Sequence, residues 1–257
     1  MQDLRVTLVQ ANQVWENKTA NFTNYERLLE GVETDLIILP EMFHTGFTMN
    51  TKVHAEPANE SSGIIWLKNL AAKKKAAVYT SLIIKEDQHV FNRGVFVEPS
   101  GVVTHYDKRK TFSLAGENNF YNSGNTETIV SYAGWRFQLQ ICYDLRFPEL
   151  VRNRIDPNHL AAYDVLLYVA NWPEKRSVHW KALLSARAIE NQCYVIGVNR
   201  VGSDAQNLVY SGDSQMVDAL GNVTPLEKNQ ELAQTIVLNK DNLIQTREKL
   251  PFLKDGN

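Results

Sequence analysis

Cysteine is scarce in this chain: Cys142 and Cys193 are the only two among 257 residues. So few exclude a disulfide-built scaffold and fit a reducing compartment. Neither sign of charge dominates, since 27 Lys and Arg stand against 29 Asp and Glu, a formal net charge of −2. A nucleic-acid binder calls for a basic face, and this balance supplies none. No stretch reaches the ~18 apolar residues of a membrane span. The start, Met1 to Gln10, lacks the basic and then apolar run of a secretory signal. A cytosolic protein is expected. The six histidines are scattered, with no His-x-x-x-His or Cys-x-x-Cys pair, so no metal site is expected. Glycine-rich phosphate loops are also missing.

What remains is an ordinary globular composition, 44 % hydrophobic and 22 % charged. Short aliphatic runs bounded by polar residues read as buried strands: Leu4–Val9, Asp35–Leu39, Val78–Ile84, Trp135–Ile141, Asp164–Ala170 and Tyr194–Val198. Helices are predicted over Asn17–Gly31, Ile64–Lys75, part of Leu145–His159, and Trp180–Asn191. Val90–Val97 and Gly101–His105 pair around the turn Glu98-Pro99-Ser100-Gly101, and a second hairpin turns at Asp218-Ala219-Leu220-Gly221. The second half repeats the order of the first, and Asp35-Leu-Ile-Ile-Leu-Pro40 is close in wording to Asp164-Val-Leu-Leu-Tyr-Val169. Two strands per repeat, flanked by helices, predict two packed sheets with helices outside. That is an α/β, four-layer αββα sandwich with an internal pseudo-two-fold repeat. Strand ends of both halves would then meet near one axis.

Three reactive residues follow apolar strands or hairpins: Glu41, Lys108 and Cys142. Each alone is more often a helix-start charge, a solvated turn or a core thiol. Together, a thiol, a carboxylate and an ammonium at one strand-end pocket can run acyl transfer without histidine. A Cys142–histidine pair is not excluded by spacing, but nothing favours it.

The segments Leu39-Pro40-Glu41-Met42-Phe43, Asp107-Lys108-Arg109-Lys110-Thr111-Phe112 and Ile141-Cys142-Tyr143-Asp144-Leu145-Arg146-Phe147-Pro148-Glu149 resemble the nitrilase superfamily of carbon–nitrogen hydrolases. Supporting segments are Asn171-Trp172-Pro173, Ala186 to Gln192 and Gly197 to Arg200, and the resemblance runs from Leu4 to about Pro251. Glu41 to Met49 with Asn-Trp-Pro is similar to the YafV-type omega-amidase branch, whose members hydrolyse the terminal amide of short 2-oxo-dicarboxylic acid monoamides. The resemblance implies that residues 1–257 form one catalytic domain with the αββα sandwich. It implies a cofactor-free, metal-free hydrolysis of a small carboxylate-bearing amide.

Carried over by motif, Glu41 is the general base, Lys108 the electrostatic stabiliser and Cys142 the nucleophile, with Glu117 matched to a second family glutamate. Lys110 stands where the family has histidine, a departure. The oxyanion is expected between Lys108 and the Tyr143 N–H. Arg176 is the candidate carboxylate anchor, and Phe43 and Trp172 are candidate pocket walls. Arg146 and Glu149 read as an ion pair behind the nucleophile, and Cys193 as inert core. Helix Trp180–Gln192 resembles the family's subunit-contact helix, so a homodimer is expected. The alternatives are a nitrilase, aliphatic amidase or N-carbamoyl amidohydrolase on the same triad, or a non-catalytic scaffold.

Overall fold

The computed structural model describes residues 3–155 and 161–256. Its centre is two six-strand paths. The first joins Leu232–Leu238, Leu4–Gln10, Leu36–Ile38, Ala77–Glu86, His89–Val97 and Val103–Asp107, with the short Glu56–Pro57 beside Ala77–Glu86. The second joins Ile129–Tyr132, Trp135–Ile141, Val165–Ala170, Tyr194–Asn199, Gln215–Val217 and Val223–Pro225. In both, three consecutive strands run parallel and the flanking ones antiparallel.

The order matches strand for strand, so the internal repeat is real and larger than the two strands per half read from the sequence. Its polar anchors repeat too. The Asp35 carboxylate accepts the Arg5 main-chain N–H at 2.9 Å and the Arg5 guanidinium at 2.9 Å. Asp164 does the same with Arg136, at 3.1 and 3.4 Å. Asp164 is further loaded with Lys240 and Arg247, which fasten the C-terminal helix Lys240–Lys249 to the second sheet.

Strands Val165–Ala170 and Tyr194–Asn199 are buried along their whole length, which is why they read as continuous apolar runs without alternation. Between the sheets lies one core, with Val6, Leu8, Ile38, Tyr79 and Phe96 facing Phe137, Leu139, Ile141, Leu167 and Val198. The outer face of the first sheet packs on helices Lys18–Leu28 and Ser62–Lys74 through Tyr25, Leu67 and Leu70. The outer face of the second packs on helix Ser177–Asn191 through Trp180, Leu184 and Ala188. The layers are therefore α, β, β, α.

Local chemistry sets the helix limits. Asn17 caps the first helix by accepting the Ala20 N–H at 3.0 Å, and Ser61 caps the second through the Ile64 N–H at 3.3 Å. Lys75 and Gln192 end their helices in the left-handed region. Among the described residues of the expected helical stretch Leu145–His159 no α-helix forms. The chain makes two single 3₁₀ turns there, Cys142–Arg146 and Pro148–Leu150, because Pro148 interrupts the helical hydrogen bonding. The end of that expected stretch, 156–159, lies outside the described residues. Among the described residues no helix is long and apolar enough to cross a membrane.

Gly197 shows how closely the second sheet meets its helix. A Cβ there would stand 2.5 Å from Leu184 Cδ1 and 2.7 Å from Trp180 Cζ2. Gly197→Ala should therefore destabilise the fold by about 1–3 kcal/mol through overpacking, read as a lower urea midpoint at unchanged slope. Parental stability would mean that the helix can ride away from the sheet.

Candidate active site

The carboxyl ends of the parallel strands, where open α/β sheets gather their ligands, converge on one cavity of about 350 Å³. Glu41, Lys108, Cys142, Tyr143, Asn171, Trp172 and Arg176 all line it. Glu41 follows Leu36–Ile38, Cys142 follows Trp135–Ile141, Asn171 follows Val165–Ala170 and Lys108 follows Val103–Asp107. Both sheets contribute.

Cys142 has φ of 45°, a conformation that a side chain with a Cβ rarely takes. That backbone turns the chain sharply from strand into the 3₁₀ turn and leaves the thiol half-buried at the cavity wall. Met42, next to Glu41, has the same φ of 45°.

Glu41 and Lys108 are fully desolvated and bonded to each other, Lys108 Nζ lying 3.0 Å from Glu41 Oε1. Glu117 completes the group: its Oε2 is 2.9 Å and its Oε1 3.0 Å from the same Nζ. Burial by itself lowers the affinity of Lys108 for its proton, but the carboxylates of Glu117 and Glu41 outweigh it, and the ammonium is held more firmly than a free lysine's. The Cys142 thiol is pushed well up, by burial first and by the Glu41 charge second. The Lys108 charge and the Asn171 main-chain N–H oppose that push without cancelling it. At rest the sulfur therefore keeps its proton.

Two asparagines absent from the sequence-based site hold the carboxylates. Asn92 Nδ2 donates to Glu41 Oε1 at 2.8 Å and to Glu117 Oε1 at 3.2 Å. The Asn171 N–H donates to Glu41 Oε2 at 2.8 Å, and its Nδ2 to the Glu41 carbonyl at 2.6 Å. Gln13 Nε2 reaches the same carbonyl at 2.9 Å. Asn92 stands beside Arg93 in the run Val90–Val97, so its polarity alone did not single it out.

Two expectations need correction. Phe43 does not wall the cavity. It is fully buried on the outer face of the first sheet, stacked on His44 at 4.9 Å and against Tyr25 and Trp66, because the left-handed turn at Met42 sends it away from the site. Phe47 takes the wall position, its ring 5.2 Å from Lys108 Nζ. Arg146 and Glu149 do not pair. Glu149 meets Lys110 at 3.8 Å, whereas Arg146 lines the cavity, 4.7 Å above the Trp172 ring. The single turns at 142–150 point the two side chains apart. Lys110, at the departed histidine position, covers Phe147 at 4.6 Å and lies outside the cavity wall. Cys193 is buried in the second sheet's outer core, its thiol pushed up by burial.

A family model described as Carbon-nitrogen hydrolase matches residues 5–246. The chain belongs to the carbon–nitrogen hydrolase family. The hydrolase is 41 % identical over 257 residues to an omega-amidase YafV from Yersinia enterocolitica, covering 99 % of this chain and 97 % of the relative. It is 29 % identical over 228 residues to a 2-oxoglutaramate amidase from Bacillus subtilis, covering 88 % of this chain and 86 % of that one. A solved CN-hydrolase superfamily protein from Xanthomonas campestris, carrying an arsenic adduct in its active site, superimposes on it with a TM-score of 0.97 at 39 % identity. That match covers 100 % of this chain and 98 % of the other. The hydrolase therefore acts on carbon–nitrogen bonds of the amide kind.

The Glu41 charge that raises the thiol gives a test in which two readouts move oppositely. Glu41→Gln should abolish most amide turnover, yet the thiolate absorbance of Cys142 should appear at lower pH than in the parent. An unmoved midpoint would mean that no ionised carboxylate stands beside the sulfur.

Proposed function

We propose that this hydrolase is an omega-amidase, converting a short 2-oxo-dicarboxylic acid monoamide such as 2-oxoglutaramate or 2-oxosuccinamate to the 2-oxo acid and ammonia. The observation that carries the substrate class is a pair of guanidiniums on the wall of the Cys142 cavity, Arg146 and Arg176. Among the described residues neither has a carboxylate within ion-pair distance, and each lies over an aromatic face, Trp172 at 4.7 Å and Phe112 at 5.4 Å. Stacked guanidiniums without anionic partners are suited to take a substrate carboxylate in bidentate fashion. The similarity to proteins named omega-amidase and 2-oxoglutaramate amidase supports the same reading.

The chemistry follows from how the oxygens of Glu41 are used. Oε1 already accepts from Lys108 and Asn92, whereas among the described residues Oε2 accepts only the Asn171 N–H. Oε2 thus has a lone pair free to take the Cys142 proton as sulfur attacks the amide carbon. Because the thiol rests protonated, deprotonation and attack proceed together. The developing oxyanion is met by the Lys108 ammonium and the Tyr143 N–H. Glu41 returns the proton to the nitrogen, the C–N bond breaks, ammonia leaves and a thioester remains. Water then gives a proton to Glu41 and its oxygen to the acyl carbon, the C–S bond breaks, and the thiol regains its proton. Glu117 and Asn92 hold Lys108 and Glu41 in register throughout.

The whole chain is read as one catalytic unit working in the cytosol. Val178 and Ile189 stay exposed on helix Ser177–Asn191, whose other face is buried in its own core, and we assign this outer face to a homodimer contact. Light scattering at micromolar concentration should give twice the chain mass.

Ammonia release from the two keto-amides is the primary test, with a nitrile and an N-carbamoyl amino acid as controls. Cys142→Ala should lose turnover on the order of 10⁶-fold, and Lys108→Ala at least about 10²–10³-fold in kcat. Arg146→Leu or Arg176→Leu should raise KM for the keto-amides by about 10–100-fold, the worth of a charge-assisted bond. Release from a control substrate alone would move the substrate class and keep the triad.

A further inference from the structure

Asp144 is a fully buried carboxylate that none of the steps above uses. It has no ion pair among the described residues. Its partners come from both halves of the molecule. Oδ2 accepts the Ile141 main-chain N–H at 3.0 Å and the Tyr106 hydroxyl at 2.9 Å. Oδ1 accepts the Lys110 main-chain N–H at 2.9 Å. Ile141 immediately precedes the nucleophile, while Tyr106 and Lys110 bracket Lys108 along the chain. One carboxylate therefore bonds the end of the nucleophile strand to the chain on either side of the catalytic ammonium. An ionised carboxylate is the side chain suited to this task, because it accepts at every position and brings no competing donor.

We propose that Asp144 is a positioning residue for the acyl transfer, a buried clamp that fixes the Cys142 sulfur relative to the Lys108 ammonium. Its kinetic consequence rests on the acyl-transfer reading above, whereas its geometry rests on these bonds alone. The clamp has an intrinsic pH dependence. Burial pushes the Asp144 carboxyl up to about 6, against the opposing pull of the Lys108 charge and of the Ile141, Tyr106 and Lys110 donors. The other titratable groups facing it, the phenols of Tyr106, Tyr79 and Tyr168, are themselves pushed up by burial and stay neutral. Above that pH both oxygens accept. As pH falls through it, one oxygen becomes a hydroxyl facing donors, and the clamp loosens.

Asp144→Asn sets an amide NH₂ against an N–H or hydroxyl donor and must lose at least one bond. Its kcat should drop at least about 10-fold with KM within about twofold, the pattern of misplaced reacting groups. The acid limb of kcat near pH 6 should shift in this variant. Tyr106→Phe removes one bond of the three and leaves the carboxylate, so its kcat should fall less, by about 2–5-fold. Alkylation of Cys142 by iodoacetamide gives a readout independent of the substrate and should slow in Asp144→Asn. If the parent hydrolyses no keto-amide, the omega-amidase reading fails while the alkylation comparison still tests the clamp. A folded Asp144→Asn protein with parental kcat, acid limb and alkylation rate would overturn the proposal. If that variant does not fold, Tyr106→Phe with parental kcat and alkylation rate would do so.

Discussion

An ammonium without water, held between two carboxylates, is the interaction on which this site depends. Lys108 Nζ lies 3.0 Å from Glu41 and 2.9 Å from Glu117, and all three side chains are fully desolvated. Moving such charges out of water costs several kcal/mol per ion, and only close opposite charge and complete hydrogen bonding offset it. The structure supplies both, through Asn92, Asn171 and the main-chain N–H of Phe112 on Glu117. Burial, reinforced by the Glu41 charge, keeps the next ionisable neighbour, the Cys142 thiol, protonated. Removing either carboxylate changes every other group in the cluster.

The repeat explains how such a cluster can be assembled. Corresponding strands of the two halves carry corresponding anchors, Asp35 on Arg5 and Asp164 on Arg136. Those anchors fix the starts of the parallel strands. The opposite ends are free to differ: the carboxylate of Glu41 follows Leu36–Ile38, whereas Asn171 follows Val165–Ala170. The main-chain N–H of Asn171 then holds the Glu41 carboxylate of the other half at 2.8 Å, and its side-chain amide holds the Glu41 carbonyl at 2.6 Å. A symmetric frame thus carries an asymmetric reactive centre.

Much of this was legible in the sequence, and the reasons are local. Buried parallel strands announce themselves as short aliphatic runs, and reactive residues at their ends stand out. The strand assignments, the repeat and the convergence of Glu41, Lys108 and Cys142 follow from that. What was illegible depended on side-chain direction. Phe43 and Phe47 are both aromatic residues just beyond Glu41, and only the left-handed turn at Met42 decides which one faces the cavity. Arg146 beside Glu149 suggested an ion pair, but two single 3₁₀ turns separated them. Asn92 and Asp144 touch partners distant in the chain, and no spacing rule reaches across two sheets.

The protonated state of Cys142 has a consequence outside hydrolysis. Peroxide and other oxidants attack thiolates, not thiols, so a cysteine whose pKa is pushed up is slow to enter the ladder from sulfenic to sulfonic acid. Many nucleophilic cysteines are activated by a lowered pKa and are correspondingly vulnerable. Here the base is a separate carboxylate, and the sulfur gains its full reactivity as its proton passes to Glu41. The burial and the Glu41 charge that delay ionisation therefore also protect the nucleophile between turnovers.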